Sequence, residues 1–310
     1  MLWLILALCS AVSAGFVSIT VKIGMKNVSA DISMLLRTAV VLIFALIITL
    51  IVGGFFTIAS VTPTEWIYIA LSGVATGLSW LCYYKALKLG NINKVVPVDK
   101  LSTVLTMTLA IIIFNEHFWW LTFVAMALMV FGAILMVIKK REAVSSTESA
   151  ENAESAESKN TESAKISETK KKSWLFFAVL SVVFASFTAI FAKLGMRNIN
   201  AQAGTFFRTA VVLIMAFIIV SVKKDGFKEI KAFSKSNWVF IVVSGLLTGV
   251  SWLCFFASLQ LGSASVVVPI DKLSVAVSVL FSVIIFKEKL SLQVIFGLLI
   301  LVAGTLLLLL

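Results

Sequence analysis

Apolar residues in this chain run in long blocks of 18–25 positions, broken by short polar or charged stretches. No block alternates apolar and polar residues, so β-barrel strands of about 10 residues are not indicated. A block of roughly 20 apolar residues is the length at which an α-helix crosses a bilayer core. In lipid the backbone must satisfy its own hydrogen bonds, which a helix does within one segment. The pattern predicts ten such helices: 2–22, 33–53, 65–87, 95–114 and 118–138, then 174–194, 204–222, 237–259, 266–286 and 291–310. Residues 139–173 interrupt the series. They are rich in Ser, Ala, Glu and Lys and carry too little apolar surface for a core, so a flexible or partly helical linker is expected. The fold class is therefore an all-α polytopic membrane protein, organised as residues 1–138, a linker 139–173 and residues 174–310. Met1-Leu-Trp-Leu runs directly into apolar sequence and reads as the start of the first span, not as a cleaved signal.

The two halves repeat one another. Lys22-Ile-Gly-Met25 and Arg37-Thr-Ala-Val-Val-Leu-Ile43 recur as Lys193-Leu-Gly-Met196 and Arg208-Thr-Ala-Val-Val-Leu-Ile214, offset by 171 residues. Gly77-Leu-Ser-Trp-Leu-Cys82 and Val96-Pro-Val-Asp-Lys-Leu-Ser102 recur as Gly249-Val-Ser-Trp-Leu-Cys254 and Val268-Pro-Ile-Asp-Lys-Leu-Ser274, offset by 172. Five spans per half require the second copy to enter the membrane inverted, and the loop charges agree. The loop after the second span has no Lys or Arg, whereas its counterpart holds Lys223, Lys224, Lys228, Lys231 and Lys235. Lys88 and Lys94 follow the third span, and the equivalent loop around Gly262 has no charge. Under the positive-inside rule this places the linker in the cytoplasm and both termini outside, with Lys193 and Arg197 as exceptions.

Composition sharpens this picture. Of 310 residues, 60% are hydrophobic, against roughly 45–50% in soluble domains, and mean hydropathy is +1.08. The net charge of +11 sits at helix ends and in loops, so it speaks for topology and not for a nucleic-acid partner. Cys9, Cys82 and Cys254 form no CxxC or disulfide pattern and read as small buried hydrophobes. His117 is the single histidine, without a ligand partner at metal spacing. No metal, cofactor, nucleophilic triad or phosphate loop is expected, so an enzyme is disfavoured.

Several elements carry a family resemblance: Ser-Trp at 79–80 and 251–252, Leu-Gly at 89–90 and 261–262, Pro97 and Pro269 early in a span, and Glu116 and Glu288 after it. In these the chain resembles the EamA-type transporters of the drug/metabolite transporter superfamily, over both halves but not the linker. Each half also resembles a five-span single-repeat EamA protein. The resemblance implies a ten-helix inverted-repeat bundle, a central cavity and alternating access, usually for metabolite export from the cell through the plasma or inner membrane. Many ten-span members are described with both termini in the cytoplasm; the charges here argue the reverse.

The candidate residues fall into two groups. Asp99 and Asp271 are the acids expected inside spans, and intramembrane ionisable groups are costly unless paired or wet. Asp99 is expected to meet Arg37 and Lys22 in preference to its neighbour Lys100; Asp271 is expected to meet Arg208 and Lys193 in preference to Lys272. With Pro97 and Pro269, these would form two gates, one near each face. Snorkelling of the lysines to the interface is the plain alternative. The second group lies at mid-span: Ser79, Trp80, Tyr83 and Tyr84 in the first half, Ser251, Trp252, Phe255 and Phe256 in the second, following Gly73-xxx-Gly77 and Gly245-xxx-Gly249. Either they wall a cavity or they simply pack helices. Cations exceed acids, which favours a small organic solute bearing a carboxylate or phosphate, such as an amino acid or organic acid. Proton coupling through Asp99 and Asp271 is one option and no coupling another. A multidrug exporter, a lipid-linked sugar carrier and a membrane structural or sensor protein are the rival readings. Lys22 and Lys193, with no acid in the first and sixth spans, weigh against exchange of cationic drugs.

Overall fold

The computed structural model describes residues 1–24, 30–89, 92–116, 120–137, 160–222, 227, 230, 233–286 and 292–308. Its helices are α1 (Leu2–Gly24), α2 (Ala30–Ile51), α3 (Pro63–Leu89), α4 (Ile92–Phe114), α5 (Trp120–Val137), α6 (Asn160–Gly195), α7 (Ala201–Ser221), α8 (Lys235–Leu261), α9 (Ala264–Asp271), α10 (Ser274–Phe286) and α11 (Leu292–Leu307), with a 3-10 stretch at Gly54–Ser60. Among the described residues, six segments are long and apolar enough to cross a membrane, and four shorter apolar segments occupy the first, fourth, fifth and tenth expected positions. The lipid-like exterior agrees with the sequence: Ile43, Ile47 and Leu50 on α2 and Leu299 and Leu306 on α11 are exposed. The protein is a multi-pass membrane protein.

Local chemistry explains several helix starts. Thr62-Pro63-Thr64-Glu65 is a capping box with proline at the first helical position. Glu65 Oε2 accepts from the Thr62 amide at 2.8 Å, and Oε1 accepts from the Asn198 amide of the other half at 3.2 Å. The Asn200 side chain accepts from the Gln202 amide and starts α7. In α6 the helix begins at Asn160, so the second part of the linker is helical and continuous with the span.

The repeats pack reciprocally. Helix α1 lies on α8 and α10, and its counterpart α6 lies on α3 and α4. Helix α2 contacts α7 and α8, and its counterpart α7 contacts α2 and α3; α5 pairs with its own counterpart α11. The glycines permit this. A Cβ on Gly73 would lie 2.6 Å from Val211 Cβ and 3.0 Å from Arg208 O. One on Gly245 would lie 2.7 Å from Val40 Cβ and 3.3 Å from Arg37 O. The expected close approach is therefore between halves, α3 on α7 and α8 on α2.

The halves differ in one element. Span 266–286 was expected to be one helix, but it is divided at Lys272-Leu273 into α9 and α10, while α4 is unbroken. Lys272 N–H donates to Pro269 O and Leu273 N–H to Ile270 O, the tighter i to i+3 pattern. Pro269 has no N–H to continue the α-helical ladder. Irregular backbone at this depth is tolerated where it is buried in protein or lines a cavity. Cys9 departs from expectation as well: it is exposed, whereas Cys82 is buried and Cys254 is half-buried.

Candidate functional site

A cavity of about 320 Å³ lies between the repeats. Ligand sites run from about 300 to 1,000 Å³, so it has room for a small organic solute. It brings together Ser79, Trp80, Ser251, Trp252, Phe255 and Phe256 from the mid-span group. Trp80 and Trp252, equivalent positions in the two copies, have ring centroids 6.4 Å apart at 34°. Ser79 accepts or donates across 3.2 Å to Ser181 Oγ, and the equivalent Ser251 does so with Ser10 at the same distance. Tyr83 packs in the small apolar cluster around Ala86 and Ala178 and does not line the cavity.

Arg208, Asp271 and Lys272 bring charge to the same walls. Arg208 is 2% exposed. Its Nε donates to Ser72 Oγ at 2.9 Å and its Nη2 to Thr76 Oγ1 at 2.7 Å. The guanidinium carbon lies 4.3 Å from the Phe256 ring centroid and 5.1 Å from that of Trp252. Nη1 is buried and has no hydrogen-bond partner. The symmetry mate Arg37 donates through Nη2 to Thr248 Oγ1 at 3.3 Å, the equivalent of the Arg208–Thr76 contact.

Asp271 Oδ1 accepts from Ser10 Oγ at 2.7 Å, and Ser10 also meets Ser251. The expected partners Arg208 and Lys193 are engaged elsewhere. Arg208 is turned toward the hydroxyls of α3, where Gly73 lets α3 and α7 approach closely. Lys193 stands at the end of α6 and donates to Glu116 Oε1 and to Gly262 O, both at 2.7 Å. Glu116 also accepts from the Ala264 amide at 2.7 Å and the Ser265 amide at 2.8 Å. It therefore caps α9 of the second repeat from the end of α4 in the first. Burial pushes the Glu116 carboxyl up, but the hydrogen bonds from Lys193, Ser265 and Ala264 outweigh it and hold it below the ordinary range. These contacts tie the two repeats together at the end of the bundle away from the linker. The side chains of Lys22, Tyr84, Pro97, Asp99 and Lys100 lie outside the described residues.

Sequence reasoning missed Ser10, Ser72 and Thr76 as partners of the charged groups. The signal was there in part: Ser72 and Thr76 are one helical turn apart, on one face of α3. Among the described residues, no group of three or more His, Cys, Asp or Glu comes together.

The EamA-like transporter family model matches residues 1–138 and 172–310. The chain belongs to the EamA-like transporter family. As an EamA-like protein of two repeats it is a membrane transporter. Less than half of the chain matches nearly the whole of one relative. It is 42% identical over 137 residues to an uncharacterized transporter in the cobO 3' region of a Sinorhizobium species, covering 44% of this chain and 96% of that protein. It is 28% identical over 135 residues to the uncharacterized transporter YxxF of Bacillus subtilis, covering 43% of this chain and 41% of that one. A solved crystal structure with 12% identity superposes at a TM-score of 0.75, over 98% of this chain and 95% of that one, which supports the fold alone.

Proposed function

We propose that the chain is a secondary transporter, working as an exporter by alternating access, of a small organic anion such as an amino acid or organic acid. Arg208 carries this reading. It is a buried cation on the cavity wall with Nη1 unpartnered and no carboxylate within ion-pair distance among the described residues. A guanidinium cannot shed its proton at ordinary pH, and a buried charge without a counter-ion is costly. Nη1 is covered in this conformation; a substrate carboxylate that displaced the side chains over it would supply the missing acceptor, in a charge-assisted bond roughly twice as strong as a neutral one. Phe256 and Trp252 fix the guanidinium plane while Ser72 and Thr76 fix its edge, so the donor is held in place before substrate arrives. Asp271 lies on the same cavity wall, with its Ser10 contact, and suits the ammonium group of an amino acid.

In this reading the tie between Glu116 and Lys193 serves as one of the two gates that alternating access requires. The test is counterflow in proteoliposomes loaded with mixed amino acids or with mixed organic acids. Arg208→Gln is expected to reduce flux of the responding anion at least tenfold while the protein remains folded by its melting curve. Undiminished flux in a folded Arg208→Gln protein would remove the anchor from the account.

A further inference from the structure

A second cavity, of about 330 Å³, lies beside the first, between α4, α5, α10 and α11. Its lining is mainly apolar, with Met129, Met136, Val275, Val279 and Leu301 among the walls. Thr103 and Lys272 line both cavities, so the two share a boundary. Equivalent positions of the two halves line it, Thr103 with Val275 and Met129 with Leu301, so both repeats contribute matching residues.

Most of the lining residues are only half-buried, so this is an open apolar cleft that a hydrocarbon chain can enter. Water finds almost no hydrogen-bond partners on such walls. Methionines at two positions add a lining that adapts to shape. Lys272, at the boundary, has an apolar stem and an ammonium end, and so fits both compartments. It also stands at the break between α9 and α10, where the helix is interrupted beside the polar cavity.

We infer that the second cavity receives the apolar part of the substrate whose anionic group is held at Arg208. The transported class is then an amphipathic organic anion, a carboxylate carrying an alkyl or aryl chain. The inference rests on the reading of Arg208 as the anion anchor. The carboxylate occupies the serine-, threonine- and arginine-lined compartment, and the chain passes Thr103 and Lys272 into the apolar one.

The experiment is equilibrium binding of acetate, butyrate, hexanoate and octanoate to the purified full chain in lipid nanodiscs. Wild-type affinity is expected to rise about fourfold per added methylene until the apolar cavity is filled. Val279→Phe and Val104→Phe, which narrow that cavity from opposite sides, are expected to flatten the rise while acetate binding persists. Persistence of acetate binding also reports that each variant is folded. Affinity independent of chain length in the wild type, or equal weakening of acetate and octanoate in both variants, overturns the inference. So does 1-octanol binding as tightly as octanoate, which would make the cavity a site for lipid chains. Arg208→Gln separates the two levels. If it leaves acetate binding unchanged while chain length still matters, the anchor is wrong and the apolar compartment stands.

Discussion

Replacing Glu116 by Gln tests the tie between the repeats. The carboxylate is only 7% exposed and accepts three hydrogen bonds, from Lys193 and from the amides of Ala264 and Ser265. Glutamine keeps the shape but has one acceptor oxygen, so its amide nitrogen must face at least one donor. The loss lies between that of one charged hydrogen bond, about 1.5–3 kcal/mol, and that of a broken buried ion pair, about 3–5 kcal/mol. A value of about 2–4 kcal/mol follows, because the second oxygen survives. The pH dependence gives an independent check. The folded carboxyl titrates below its ordinary value, so its stabilisation is fully present above the unfolded value and is lost as pH falls through the folded one. Reversible SDS unfolding of wild type and Glu116→Gln should therefore differ at neutral pH and converge in acid. Lys193→Met should lose much of its own effect in the Glu116→Gln background, with a coupling above about 1 kcal/mol. Curves that coincide at neutral pH, or a gap that stays constant into acid, would refute the reasoning.

Four further substitutions have defined outcomes. In Gly132→Ala the new Cβ would lie 2.6 Å from Gly297 O and 2.7 Å from Leu301 N, both backbone, so α5 and α11 must separate and unfolding should ease by about 1–3 kcal/mol in the same titration. Ser10→Ala removes the donor to Asp271 and should cost about 1–3 kcal/mol of stability, with Ser251→Ala costing less because Ser251 does not reach Asp271. Asp271→Asn should abolish any proton-gradient dependence of transport in vesicles; transport that still follows the gradient would move coupling away from this residue.

Much of the architecture is legible in the sequence because lipid imposes it. Uninterrupted apolar blocks leave the backbone no alternative to helix, and two copies of one block predict reciprocal packing. The glycines foretold close approach, yet not that Gly73 would meet Val211 of the other half, since spacing along one helix says nothing of its partner. The charged residues of the second half were found but mispaired. Arg208 and Asp271 attract at long range, but a side chain bonds within a few ångströms. At that range the neighbours are Ser72, Thr76 and Ser10, whose small hydroxyls leave no hydropathy signal. Lys193 and Glu116 were each visible, on loops and ends that the topology puts at one face, and their pairing needed only that step. The break at Lys272-Leu273 had a partial cue in Pro269, but Pro97 sits equivalently in an unbroken helix, so the proline does not determine it alone.

The most direct measurement of the central claim is equilibrium binding of a carboxylate and its neutral amide to purified wild type, Arg208→Lys and Arg208→Gln. Hexanoate and hexanamide serve as the pair. The account predicts that wild type prefers hexanoate by at least tenfold, that lysine keeps part of the preference, and that glutamine abolishes it with hexanamide binding unchanged. A wild-type protein that binds acid and amide equally, or a Gln variant that keeps the preference, would contradict it.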